Sequence, residues 1–586
     1  MQLLCKEKLA EIRKNPIYRA YNEKIISLAN EVTGKPIEVI SYQEHMFFYR
    51  EHYRNDKKKI ERRRNLSVLA FAYLLTEKEE YLFRAEDYIW AISDEFSWAF
   101  PAHLKEEGMR NAVPFEEQPQ YIELFATYTA SLLAEVDATL GDALSWRIRS
   151  RIRMECDRRI FTPFETRLHN LFWENAVHNW ASSCASHIAI AYMHLCDKER
   201  TQAILPRLKR AVGNFLDGFD TDGCCLEGFA YWNGGFGDFV YFADLLYRYT
   251  DGQDDYFSDE KVREIALFGQ RMMVGNYRVV NFADGGDTAT LPLANLHLYG
   301  SHYSDIVLPN KAIYNFDWLA QSENPNFLLI LRNYLWIDTE RDGLLGERSY
   351  HHYMNKAQWF IEKNARYSFV AKGGHNAEPY LKSYDDWRER YENRADRNEP
   401  HNHNDVGHFI FYAGDECVFC DLGAGLYYVD YFLREHRYKY LTASSRGHSV
   451  PMIDGTEQCC DIYHGARVCS VTEDEFSIDI SGAYEIEGLT SLLRTFKTDE
   501  NGVTLTDTYT TTRKMPVTER FVTKIKPTRE GNTVLVGRGK LIFPEGLTPV
   551  FGEEKYRSHE NNELTAYFVD FPLNVDGTTT LVFRFE

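Results

Sequence analysis

Apolar positions recur at three- and four-residue spacing from about residue 60 to 335, whereas after about residue 350 they alternate and β-branched residues become frequent. The first texture predicts helices. "NLSVLAFAYLLTEKEEYLFRAEDYIWAIS" (65–93) predicts two that meet near Thr76-Glu77, "PQYIELFATYTASLLAEVDATL" (119–140) another, and "HNWASSCASHIAIAYMHLCD" (178–197) a buried one rich in small residues. "FGDFVYFADLLYRYTDG" (236–252) and "NPNFLLILRNYLWI" (324–337) continue the series. Helices of this length joined by short polar turns form stacked antiparallel pairs, as a bundle or an α/α toroid. The second texture predicts strands in "ARYSFVAKGG", "HFIFYAGDECVFCDLG", "EFSIDISGAY", "GVTLTDTYTTT", "ERFVTKIKP" and "TTLVFRFE", with turns at Glu500-Asn501-Gly502 and Arg529-Glu530-Gly531-Asn532. The expected architecture is a multidomain α+β chain: a helical α/α domain over residues 1–345 and an antiparallel β-sandwich over 346–586.

Composition narrows the function. With 38 Tyr, 37 Phe and 10 Trp, aromatics are abundant enough to suggest stacking on sugars as well as packing between helical layers. A net charge of −20 argues against a nucleic-acid coat or an anionic-membrane binder, both of which need a broad positive field, so a polyanionic ligand has to be met by local Arg and Lys. The start, MQLLCKEKLAEIRKNP, has the pattern of an amphipathic helix and not of a signal peptide, and no stretch approaches a membrane span. The eleven cysteines are scattered, apart from the neighbours Cys224/Cys225 and Cys459/Cys460, which suits reduced thiols. Together these features predict a cytoplasmic protein.

Three groups of residues carry candidate chemistry. In "NEPHNHNDVGHFIFYAG" (398–414), an extended backbone would project His401 and His403 together and Asn402 away. Asp421 follows the next strand and His448 lies in "SSRGHSVPMIDG"; two imidazoles and a carboxylate match the ligand set of zinc. Cys417 and Cys420 would point to opposite faces of a strand, which makes them structural. The second group is His178, Asn179 and Trp180 at a helix start, with Glu227, Tyr231 and Trp232 ahead of a glycine-rich break. The third is basic: Arg394, Arg397 and Arg446 flank the histidines and Arg110 lies in "EEGMRNAVPF", all suited to carboxylates and sulfates.

A helical half with "HNW" and "EGFAYW", followed by a β half with "HNHNDVGHFIFY", "CDLG" and "RGHS", resembles the heparinase II/III-like polysaccharide lyases over most of the chain. The H-x-H-x-D-x-G-x-F pattern from His401 to Phe409 is its most specific element. The resemblance implies an N-terminal (α/α) toroid and a C-terminal antiparallel β-sandwich, with Tyr231 as catalytic tyrosine and His401 as its partner. It further implies a structural zinc on His403, Asp421 and His448, no organic cofactor, and a carboxylate-neutralising residue at Asn179 or His178, with Asn179 the better match. The implied activity is β-elimination on an acidic polysaccharide or oligosaccharide, a glycosaminoglycan of the chondroitin, hyaluronan or heparan type. Arg110, Trp180, Glu227, Trp232, Arg397 and Arg446 are the candidate substrate contacts, and self-association is left open. Two other classes fit the same patterns: an α/α-toroid glycoside hydrolase using Glu227 with Asp284 or Asp287, and a glycan-binding protein without turnover.

Overall fold

A computed structural model describes residues 4–42, 44, 57–104, 113–169, 171–274, 278–288, 293–310, 326–343, 349–376, 401–428, 430–432, 434–461 and 463–586. Among these, twelve helices of nine or more residues lie between Lys6 and Trp336, and the strands of all three sheets lie between Tyr350 and Phe585. No helix among the described residues is long and apolar enough to cross a membrane. None of the eleven cysteines is in a disulfide.

The predicted helices form. Lys57–Thr76 and Glu79–Ser93 are joined at Glu77, whose φ of 60° turns the chain back on itself. Leu124–Leu140 (α1) packs against Asn179–Leu195 (α2), which also packs against Lys198–Asp217 (α3). Side chains satisfy the free amides at each start. The Glu123 carboxylate accepts from Phe125 N and Ala126 N, His178 Nδ1 from Trp180 N, and Asp197 from Arg200 N.

The glycine-rich stretch after Trp232 is not a break. Phe229–Tyr249 (α4) runs straight through Gly234, Gly235 and Gly237. A Cβ on Gly235 would lie 2.9 Å from Asn179 Cβ, and the Gly235 carbonyl accepts from Ser182 Oγ at 2.6 Å, so the bare backbone lets α2 approach α4. Close helix contact outweighs the ~1 kcal/mol by which glycine weakens a helix.

Packing divides the chain into two compact units. One comprises 1–218, 233–263 and 290–343; the other comprises 219–232, 264–289 and 344–586. The division is more interleaved than a single cut at residue 345, because two stretches from the helical half pack with the strands.

The strand-containing unit has three antiparallel sheets. Five strands from Tyr350–Met354 to Glu416–Phe419 pair in chain order. An eight-stranded sheet centres on Leu489–Asp499, Gly502–Thr511 and Thr578–Phe585, and a four-stranded one on Met515–Thr523 and Glu563–Val575. Inward rings of Phe409, Phe419, Phe521 and Phe585 fill the core.

One polar node lies inside this core. Arg494 donates to Asp507 at 2.7 Å and to Glu519 at 3.2 Å, and Tyr509 also hydrogen-bonds to Glu519. One guanidinium cannot neutralise two buried carboxylates, so burial and the Asp507 charge push Glu519 up to about 8. The folded state therefore holds a proton that the unfolded chain releases near pH 4.5. Stability from this group is full below pH 4.5 and is lost as pH rises towards 8. Thermal melts of Glu519→Gln between pH 5 and 8 should show a flatter pH dependence than the parent; parallel curves would disprove the buried proton.

Candidate functional site

The segment 401–408 is a loop running into the strand Phe409–Ala413, not the extended strand expected. His401 and His403 nevertheless converge, because both bind one carboxylate. His401 Nδ1 lies 3.0 Å from Asp284 Oδ2, and His403 Nε2 lies 3.0 Å from Asp284 Oδ1. Tyr431 Oη donates to Oδ1 at 2.8 Å and Arg437 Nη2 to Oδ2 at 3.2 Å. Burial opposes the charge on Asp284, but Arg437 and the two imidazole hydrogen bonds outweigh it and hold the group well below the usual carboxylate range. An ionised Asp284 only accepts, so His401 carries its proton on Nδ1 and His403 on Nε2. The lone pairs are then on His401 Nε2 and His403 Nδ1.

Around His401 the structure assembles a tyrosine pair. The half-buried Tyr231 ring stacks on the His401 ring, with centroids 3.6 Å apart and planes 19° from parallel. Tyr231 Oη lies 2.7 Å from Tyr427 Oη, which is 3.3 Å from His401 Nδ1. Burial pushes His401 down to about 4 despite the pull of Asp284, so the imidazole is neutral at ordinary pH. Burial, Asp284 and Tyr231 together hold the Tyr427 hydroxyl protonated.

The second lone pair faces a metal-type cluster. His403, Asp405, Asp421 and His448 are fully buried and offer donor atoms within 4.8 Å of one another. His448 Nδ1 donates to Ser444 O at 2.8 Å, so its Nε2 lone pair points at His403 Nδ1, 3.2 Å away. With both rings neutral, two acceptors face each other, an arrangement that a proton on His448 or a shared cation relieves. Asp405 Oδ2 and Asp421 Oδ2 are buried without hydrogen-bond partners beside the same pair. Asp284, Asp405 and Asp421 outnumber the buried cations Lys372 and Arg437, and despite burial Asp421 and Asp405 raise His448 above its ordinary pKa. The set fits a divalent cation, and its two nitrogens and two oxygens suit zinc. His408 does not complete it: its Nδ1 accepts from Ser449 N, so Nε2–H points towards Asp421 at 3.7 Å. The expected ligands His403, Asp421 and His448 thus meet, although the two histidines come from loops and not from successive strands. Asp405, two residues beyond His403 in the same pattern, was missed.

The other candidates separate. His178 caps α2, while Asn179 is half-buried in that helix's first turn. Trp180 is half-buried between the rings of His103 and Phe172. Trp232 is corrected from a substrate contact to a core anchor: it is 1 % exposed, donates from Nε1 to Ile265 O at 2.7 Å, and its ring fills the place a Cβ on Gly269 would take. Glu227 is buried in the turn before α4. Arg446 is clasped by Lys439 O and Ser444 Oγ and lines a cavity of about 360 Å³ together with Lys439, Lys555 and Arg557. Asp287 pairs with Arg278 at 3.5 Å. Arg110, Arg394 and Arg397 lie outside the described residues.

No family model and no curated protein matches the chain. Solved structures do. A heparinase III aligns over 99 % of this chain and 91 % of its own, with TM-score 0.59 and 13 % identity. A mutant heparan sulfate lyase from Pedobacter heparinus aligns over 99 % and 90 %, with TM-score 0.58 and 11 % identity. A mutant chondroitin AC lyase from Streptomyces coelicolor aligns over 99 % and 81 %, with TM-score 0.52 and 10 % identity. The fold is that of the heparinase II/III-like lyases: an N-terminal α/α toroid followed by an antiparallel β-sandwich.

Proposed function

We propose that the protein is a polysaccharide lyase that cleaves a uronate-containing glycan by β-elimination, with a glycosaminoglycan of the chondroitin, hyaluronan or heparan type as substrate. The observation that carries this reading is the half-buried Tyr231 stacked on His401, whose tautomer is set by a buried ionised Asp284. The C5 proton of a uronate is weakly acidic, and its removal places negative charge on the adjacent carboxylate. Neutral His401, with Nδ1–H bound to Asp284, has its Nε2 lone pair for that proton. Tyr231 then protonates the departing 4-linked oxygen, and Tyr427, 2.7 Å away, donates to the resulting phenolate.

The amide of Asn179, in the first turn of a 17-residue helix, is suited to the substrate carboxylate, where the helix N-terminus adds partial positive charge. His178 is less suited because its Nδ1 already serves the backbone. His403, Asp405, Asp421 and His448 would hold the metal, which supplies the positive charge the buried cluster needs and ties its segments together.

A hydrolase working through Asp284 has little support. Inverting glycosidases need two carboxylates open to the sugar, about 6.5–9.5 Å apart. Both oxygens of Asp284 are occupied by four protein partners.

Elimination leaves a C4=C5 double bond conjugated to the carboxylate, whereas hydrolysis adds water and leaves saturated sugars. A panel of glycosaminoglycans and alginate should yield ultraviolet-absorbing products from at least one polymer, and its carboxyl-reduced form should resist. Saturated products, released at comparable rates from the reduced polymer, would hand the case to a hydrolase.

A further inference from the structure

We propose that Cys459, His464 and Glu485 form a second metal site, separate from the buried histidine–aspartate cluster, for a borderline-soft divalent cation of the zinc class. Their ligand atoms lie within 4.8 Å of one another, and His464 Nε2 is 3.3 Å from Glu485 Oε1, already close to the separation of two ligands on one tetrahedral zinc.

The histidine is oriented for this role. His464 Nδ1 lies 2.7 Å from Asp461 Oδ1, and the same oxygen accepts from Tyr463 N at 2.8 Å, so the carboxylate is fixed by the loop backbone. Asp461 therefore accepts from Nδ1–H, and in the neutral ring the Nε2 lone pair is turned towards Glu485. A carboxylate behind a metal-binding imidazole is the usual second-shell arrangement, and it raises the ligand's basicity.

The backbone holds the donors in place on both sides. Cys459 N donates to Ala483 O at 2.9 Å, and Cys459 O accepts from Asn376 Nδ2 at 2.8 Å. Gly465 N, next to His464, donates to Gly482 O at 3.2 Å. Both ends of the Cys459–His464 loop are thus tied to the turn Ser481–Ala483, which ends two residues before Glu485. The Glu485 side chain is 76 % exposed and can swing the remaining distance without disturbing the fold. On binding, the Cys459 thiol releases its proton to solvent and the thiolate takes the ion, leaving a fourth position for water.

The rival arrangement is an imidazolium held between Asp461 and Glu485, which involves no sulfur. Cobalt(II) separates the two, because a thiolate ligand gives cobalt a charge-transfer band in the near ultraviolet while the buried cluster, built from nitrogen and oxygen, gives none. Full-length protein loaded with cobalt should show this band. It should disappear in Cys459→Ser and in His464→Ala, and persist in Cys460→Ser and Cys469→Ser. Bound zinc, measured by elemental analysis, should fall by one per chain in Cys459→Ser. Absence of the band in the parent, its persistence in Cys459→Ser, or unchanged zinc in that variant would overturn the site. Loss of metal from the buried cluster would leave the cobalt–sulfur band unaffected, so the two sites fail separately.

Discussion

Tyr231→Phe should lower turnover by about 10²–10⁴-fold, the range a positioned acid–base group contributes, while substrate binding and melting temperature stay near those of the parent. The reason is geometric. The phenylalanine ring keeps the stacking on His401 at 3.6 Å and deletes only the hydroxyl, which lies 2.7 Å from Tyr427 Oη. Losing one hydrogen bond between tyrosines costs about 1 kcal/mol of stability, too little to unfold a chain of this size. Steady-state rates on a substrate that yields unsaturated products, alongside a binding isotherm and a thermal melt, separate chemistry from folding. Activity within a few-fold of the parent would make Tyr231 a packing residue and remove the proposed acid.

Much of this site was legible in the sequence because its pieces are local. The helical and alternating textures located the elements, since 3.6- and 2-residue periods are set by which face is buried. His401, His403, Asp421 and His448 stood out because imidazoles and carboxylates crowd the ends of strands in short motifs. What escaped was long-range. Asp284 lies 117 residues before His401, and nothing in "NFADGGDTATLP" shows that its carboxylate is buried under two imidazoles, a tyrosine and an arginine. By type alone it passes for a glycosidase acid. Tyr427 likewise lies in an aromatic run, "GLYYVDYF", with no spacing that marks one tyrosine over its neighbours. Trp232 misled in the opposite direction, since an aromatic beside Tyr231 on a helix points to a different face and here enters the core. The glycines after it resembled a chain break because sequence cannot show that a second helix presses against Gly235.

Asp284→Asn should damage catalysis and metal retention together. The carboxylate holds His401 through Oδ2 and His403 through Oδ1, and an amide can offer only one accepting oxygen. Its nitrogen would confront at least one donor among His401, His403, Tyr431 and Arg437. Arg437 would lose its carboxylate while fully buried, and breaking a buried ion pair typically costs about 3–5 kcal/mol. If His401 is misdirected it exposes the wrong tautomer to substrate, and if His403 is misdirected its Nδ1 lone pair leaves the cluster with Asp405, Asp421 and His448. The expected result is a loss of at least about 100-fold in turnover, a lowered melting temperature, and weaker retention of zinc on dialysis against a chelator. Asp287→Asn is the control. Asp287 lies three residues further along, partly exposed and 3.5 Å from Arg278, where an ion pair contributes about 0–1 kcal/mol. It should leave all three measurements nearly unchanged. The reverse pattern, an inactive Asp287 variant beside an active Asp284 variant that keeps its metal, would mean that the carboxylate open to solvent does the chemistry and that the buried one only supports the fold.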